Sequence, residues 1–219
     1  MTVRILVDST ADLPPARAGE LRIEVVPLIV LFGDEAYEDG VDLDGPAFYS
    51  RLSRSPVMPT TATPAPGVFE ERYRKLIDDG ATGILAIHIS HTLSGTMQSS
   101  VPAARDVSAA TGVPIEVLDS GSVSGGFGLP VEIVAREALE GAGLAELKAH
   151  AQDLLARVRL IAILDTLEFL QRGGRIGRAR AMLGTLLNTK PLLEVRDGQV
   201  LPLEQVRTRS KALERMGQL

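Results

Sequence analysis

The chain has 219 residues, 45% of them hydrophobic, 4% aromatic and 23% charged, with a formal net charge of −5. That length supports one sizeable core or two smaller ones, and the negative balance excludes an overall basic footprint for nucleic acid. There is no cysteine, which excludes disulfides, thiolate metal sites and a cysteine nucleophile.

The first residues, Met1-Thr2-Val3-Arg4-Ile5-Leu6-Val7-Asp8, enter a strand at once and lack a signal-peptide layout. Val3 to Val7 reads as that strand, closed by the capping chemistry of Asp8-Ser9-Thr10. Leu13-Pro14-Pro15 starts a short helix, proline being tolerated in a first turn. Ile23 to Phe32 is one long β-branched run ending in the acidic turn Gly33-Asp34-Glu35. Pro46 to Leu52 reads as a helix leading into the Pro/Ser/Thr segment Ser55 to Gly67. Phe69, Tyr73, Leu76 and Ile77 recur at helical spacing, and Asp78-Asp79-Gly80 ends that helix.

The apolar run Ile84 to Ile87 predicts a buried parallel strand. It empties into Ile89-Ser90-His91-Thr92-Leu93-Ser94-Gly95-Thr96, a hydroxyl-rich turn that opens a helix over roughly Gly95 to Ala110. Ile115 to Leu118 is the next strand, followed by the small-residue turn Asp119 to Gly126 and two helical stretches separated near Gly141-Ala142-Gly143. Arg159 to Leu164 is a further strand, and Asp165-Thr166 a helix start. Asp197-Gly198 signals a hairpin between Leu192–Val195 and Gln199–Leu203. The chain closes in a basic helix, Arg207 to Met216. Alternation of strands and helices predicts an α/β fold with a mainly parallel, Rossmann-like sheet, divided near residue 158 into an N-terminal domain (1–158) and a second unit (159–219). Every long apolar run is broken by charge, Gly or Pro, so no membrane span is expected, and the chain reads as cytoplasmic.

In open α/β sheets, ligands sit outside the carboxyl ends of the strands. Three turns fit that position: Asp8-Ser9-Thr10, Ser90 to Thr96, and Asp119 to Gly126, with Thr60-Thr61-Ala62-Thr63-Pro64 joining from the side. Free N–H groups at a helix start favour an anion there, although Ser94 or Thr92 as a plain cap accounts for the same residues. No Walker lysine or GxGxxG fingerprint indicates a nucleotide cofactor. His88, His91 and His150 lack zinc-motif spacing, so no metal is expected. Further on, Gly173-Gly174-Arg175 sits among Arg172, Arg178 and Arg180, a local cationic cluster on an acidic chain. It suits a phosphate or a docked partner or, more plainly, a solvated face with weak ion pairs.

Several of these segments, taken in order, resemble one family, the DegV-type fatty-acid-binding proteins. The matching stretches are Ile5 to Pro14, Thr61-Ala62-Thr63-Pro64 with Pro66 to Phe69, Ile89 to Thr96 with Gln98-Ser99-Ser100, and Leu118-Asp119-Ser120. Leu167 to Leu170 with Gly173 to Ile176, Leu187-Asn188-Thr189-Lys190-Pro191-Leu192, and Val206 to Arg209 complete the set. The resemblance implies a two-domain fold and a non-enzymatic carrier that buries one long-chain fatty acid and presents its carboxylate to a partner fatty acid kinase. By motif position, Thr61 and Ser94 would hold the carboxylate with the Gly95 N–H as helper, and Arg175 and Arg207 would serve the phosphate or the kinase contact. The family's Thr-Ser-Gln-Pro loop reads Thr61-Ala62-Thr63-Pro64 here, which keeps the threonine and loses the neighbouring polar pair. Members commonly run on with a further strand and a His/Gly-rich motif, so 159–219 is expected to be only part of the second domain. Two other readings compete. One is a serine-based acyl hydrolase with Ser94 as nucleophile and His91 or His88 as base, disfavoured by the missing GxSxG elbow. The other is a small anion- or phosphate-binding α/β enzyme relying on Asp8 and Asp119.

Overall fold

Strand alternation builds the centre of the molecule. In the computed structural model, which describes residues 2–183 and 189–219, β1 (Val3–Asp8) lies between β2 (Glu24–Val26) and β6 (Gly83–His88), with β7 (Ile115–Asp119) beyond β6. All three pairings are parallel. Successive residues of a strand point to opposite faces, so Val3, Ile5, Val7, Leu85 and Ile87 share one core with Phe127, Val131 and Val134 of α5 (Gly125–Leu139) and Leu147 of α6 (Leu144–Arg157). Leu6, Ile84 and Ala86 face the other way, onto Phe69, Tyr73 and Leu76 of α3 (Pro66–Asp78) and Ala103 and Val107 of α4 (Thr96–Thr111). A sheet covered on both sides needs continuous apolar strands, and β6 is buried throughout.

The chain leaves β1 toward β2 through α1 (Pro15–Glu20), and later returns to β1's other side as β6. The strand order therefore reverses between β1 and β6, and their carboxyl ends part to leave a crevice. That topology sets where a ligand sits.

The run Ile23–Phe32 is not the single strand its composition predicts. Pro27 and Leu28 divide it: β2 pairs with β1, whereas β3 (Ile29–Phe32) turns away and pairs antiparallel with β4 (Glu35–Glu38) and β5 (Thr60–Ala62). A proline lacks the N–H that a continuing ladder requires. The Thr60–Pro64 loop is thus partly a strand. With α2 (Gly45–Leu52), β3–β5 make a side lobe around Val30, Phe32 and Leu43. Arg51 pins α2 to this sheet, lying 4.7 Å from the centre of the Phe32 ring and 5.0 Å from that of Tyr37 while pairing with Glu35.

Beyond residue 158, β8 (Leu160–Ile163), β9 (Lys190–Arg196) and β10 (Gln199–Val206) form an antiparallel sheet in the order β10-β9-β8. Its own core comprises Leu167, Ile176, Ala179, Met182, Leu193 and Val200, reached through α7 (Glu168–Arg172). The last helix, α8 (Arg209–Met216), starts two residues later than its basic pattern suggests, because Thr208 caps it by accepting from Lys211 N–H. The β9–β10 turn, Asp197-Gly198, has φ of 50° and 72°, the left-handed pair of a two-residue hairpin. Its tip docks on the parallel sheet: Gly198 N–H donates to Gly121 C=O at 2.8 Å, and Thr92 Oγ1 donates to Gly198 C=O.

A methyl group at residue 198 would collide with Ser90 Oγ and Thr92 Oγ1, whereas one at Gly33, also left-handed, meets nothing within 4 Å. Gly198→Ala is therefore expected to lower stability by roughly 2–4 kcal/mol in urea unfolding and Gly33→Ala by only about 1 kcal/mol. In the side lobe, hydrogen bonds from Tyr37 and then Arg51 hold the Glu35 carboxyl below its ordinary range. A carboxyl lowered on folding stabilises the native state above its unfolded value and loses that contribution as pH falls through the folded one. Acidification below about pH 4.5 should thus loosen the lobe, seen as faster proteolysis between residues 38 and 60, and Glu35→Gln should flatten that pH dependence.

Candidate functional site

A cavity of about 650 Å³ opens at the crevice between β1 and β6. Three separate parts of the fold wall it. The ends of β1 and β6 supply Thr10, Ile89, Leu93 and Ser94, and the side lobe supplies Leu28, Met58, Pro59, Thr60 and Thr61. The antiparallel sheet and α7 supply Leu160, Ala162, Leu164, Phe169, Leu170, Leu193, Val195 and Val200. The lining is predominantly aliphatic with a few hydroxyls and two arginines, Arg172 and Arg175, the composition of a site for a ligand with a long apolar body and one polar end.

Of the residues singled out from the sequence, Thr61, Ser94 and Arg175 line this one cavity. Thr61 stands on β5, paired in register with Val30. Ser94 sits one turn after Ser90, its N–H donating to Ser90 C=O at 3.1 Å, and its hydroxyl lies 2.9 Å from Thr96 Oγ1 at the start of α4. The hydroxyl also accepts Thr96 N–H at 3.4 Å, and Ser94 lines the cavity. Arg175 reaches across from the second unit: Nε donates to Leu93 C=O at 3.1 Å and Nη1 to Gly173 C=O at 2.6 Å. The guanidinium fastens the Gly173-Gly174 strap to the loop that carries Ser94.

Gly95 caps α4 just outside the lining, where an added methyl group would touch Thr63 and Gln98. This close approach sets the Thr60–Pro64 segment against the helix start. Arg207 is not brought in. It lies exposed between β10 and Thr208, away from this cavity. Leu187 and Asn188 of the sequence motif lie outside the described residues.

Geometry removes the hydrolase reading. His88 is fully buried beneath the cavity, with Nδ1 3.1 Å from Asp8 Oδ2 and Nε2 2.7 Å from Ser100 Oγ. His91 turns outward to Asp119. Among the described residues, neither histidine is hydrogen-bonded to Ser94, so the pairing that the hydrolase reading needs is not formed. Asp8 and Asp119 are likewise engaged as acceptors at strand ends, Asp8 from Ile89 N–H and Thr10 N–H and Asp119 from Gly121 N–H. Both aspartates that the phosphate-enzyme reading relies on are thus engaged at strand ends. Among the described residues, no group of three or more His, Cys, Asp or Glu gathers as a metal site, and no helix is long and apolar enough to cross a membrane.

Sequence reasoning missed the contributions of Met58, Phe169 and the β9–β10 valines to the cavity, because their convergence depends on packing between distant segments. It also missed the buried partners of His88. Thr10 and Ser124 had a signal, since both lie in turns at strand ends.

The profile of the family described as "Uncharacterised protein, DegV family" matches residues 2–219. A DegV domain-containing protein of Streptomyces coelicolor is 41% identical over 219 residues, covering 99% of this chain and 75% of that protein. One from Halalkalibacterium halodurans is 38% identical, covering 99% of this chain and 76% of its own. Among solved structures, a fatty-acid-binding DegV family protein from Thermus thermophilus superposes with a TM-score of 0.90 at 36% identity, over 100% of this chain and 76% of the other. DegV of Bacillus subtilis, described as a fatty acid binding protein, superposes with a TM-score of 0.87 at 30% identity, over the same shares. Profile, relatives and fold agree: the chain belongs to the DegV family.

Proposed function

We propose that this protein is a carrier that holds one long-chain fatty acid in the 650 Å³ cavity and presents its carboxylate to a partner fatty acid kinase in the cytoplasm. The observation that carries the reading is the shared wall: Thr61 on β5 and Ser94 in the loop before α4 line one aliphatic chamber. Relatives described as fatty-acid-binding support it. On this reading, residues 1–158 carry the head-group loops and residues 159–219, part of a second α/β unit, cover the tail.

Magnitudes divide the labour. A C16 chain has about 14 methylenes, and burying each contributes ~0.8 kcal/mol, so the tail supplies roughly 11 kcal/mol before ordering costs. Each hydrogen bond to a charged carboxylate adds about 1.5–3 kcal/mol. The tail sets affinity and the hydroxyls set position. Thr61 and Ser94 grip the carboxylate with the Gly95 N–H as helper, leaving an oxygen accessible as the nucleophile toward the kinase's ATP. Arg175, beside Ser94, offers a fork for the acyl-phosphate, and exposed Arg207 is assigned to the kinase contact.

Native mass spectrometry of protein purified from cells should show a bound lipid of fatty-acid mass. Thr61→Ala and Ser94→Ala should each weaken palmitate binding by about tenfold, the loss of one hydrogen bond to a charged group, and slow kinase-dependent acyl-phosphate formation by about a hundredfold. Equal losses in both assays would remove the presentation role.

A further inference from the structure

Four side chains beneath the cavity form a hydrogen-bonded file that the carrier reading leaves unused. Tyr73 OH lies 2.6 Å from Ser100 Oγ, Ser100 Oγ 2.7 Å from His88 Nε2, and His88 Nδ1 3.1 Å from Asp8 Oδ2. All four side chains are fully buried. Burial raises the Tyr73 phenol above its ordinary value, so its proton stays on. With the Asp8 carboxylate accepting from Nδ1–H, we assign Ser100 as the donor to Nε2 and Tyr73 as the donor to Ser100, an assignment made from the hydrogen-bond network.

Asp8 is where the file ends and the cavity wall begins. Its Oδ2 also accepts Ile89 N–H at 2.9 Å, and Oδ1 accepts both Thr10 N–H and Thr10 Oγ1–H. These groups stand just past the last β1–β6 backbone pairings, where the strands part and the ladder supplies no further partners. Ile89 is followed by Ser90, whose C=O accepts the N–H groups of Leu93 and Ser94. A buried carboxylate is costly to desolvate and is kept only where several donors converge on it. Four donors converge here, three of them on the cavity-lining residues Thr10 and Ile89.

We propose that Asp8 is a positioning residue for the head-group loop: through Ile89 and Thr10 it fixes where Ser94 stands relative to Thr61, and the Tyr73–Ser100–His88 file holds Asp8 in place. The inference rests on the fatty-acid reading of the cavity and adds a residue that touches no ligand. It separates head-group recognition from most of the tail burial, because the lining residues that Asp8 holds are Thr10 and Ile89 beside the Ser94 loop, and the wall from residues 160–175 and 193–200 does not touch it.

Asp8→Asn keeps the side-chain size and exchanges one acceptor oxygen for a donor. Either rotamer sets N–H against N–H, with the amide facing Ile89 and His88 in one and Thr10 in the other. The test measures calorimetric binding of palmitate and of hexadecanol, equal in chain length and differing at the head, to lipid-stripped protein confirmed as folded by circular dichroism. The wild type should prefer palmitate. Asp8→Asn should weaken palmitate by about tenfold and hexadecanol by no more than about twofold. Should Asp8→Asn fail to fold, His88→Leu, which removes one donor from Asp8, should show the same selective loss at about threefold. Equal losses for both ligands, or an unchanged palmitate affinity in a folded variant, would overturn the proposal. A wild type that binds hexadecanol and palmitate alike would instead remove the carboxylate reading of Thr61 and Ser94, and the role of Asp8 with it.

Discussion

The architecture depends on the parallel pairing of β1 with β6. These strands share five registered residue pairs and then must separate, because the chain continues from them in opposite directions across the sheet. Separation leaves N–H groups without ladder partners at a place too buried for water to serve them. The Asp8 carboxylate takes that role, accepting Ile89 N–H on one side and Thr10 N–H on the other. The crevice is thus open as a consequence of topology and kept in shape by one buried anion.

Two further layers complete the chamber around that crevice. The side lobe leans in from β3 to β5, tied to the end of β1 by Ser9, whose hydroxyl accepts Leu28 N–H and donates to Asp39. The antiparallel sheet closes from the opposite side and contributes most of the aliphatic wall. Neither layer has a large core of its own: the lobe's buried cluster is Val30, Phe32 and Leu43. Burial against the parallel sheet and against each other supplies what such small clusters lack.

Legibility in the sequence followed the range of the interactions involved. Val3–Val7 and Ile84–Ile87 were readable because a strand buried on both faces is apolar almost throughout, Arg4 near the start of β1 being the exception. The Asp197-Gly198 hairpin was readable because its left-handed backbone demands those residue types. Pro27 carried the signal that breaks Ile23–Phe32, yet the β-branched run around it dominated the pattern. The three-residue strand β5 is defined by pairing with β3, some 30 residues away, which no local pattern encodes. At the site, the hydroxyls Thr61 and Ser94 and the Gly-Gly-Arg175 strap stood out as motifs, while the chamber did not. Its walls come from residues 10, 28, 58–61, 89–94, 123–124, 160–175 and 193–200, and only folding brings them together. The partners of His88 were hidden for the same reason, since Asp8 lies 80 residues before it and Tyr73 and Ser100 come from two different helices.

The β9–β10 hairpin touches both extremities of the chamber. Val195 and Val200 on its arms face the interior, and its tip holds Thr92 and Gly121 through main-chain contacts. Its first arm is paired in turn with β8, so the arms belong to one three-stranded sheet. On the proposed function, a guest long enough to press on those arms would press on the same sheet whose tip is tied to Thr92, two residues before Ser94. Length at the hydrocarbon end and placement at the acid end would then be settled by one element.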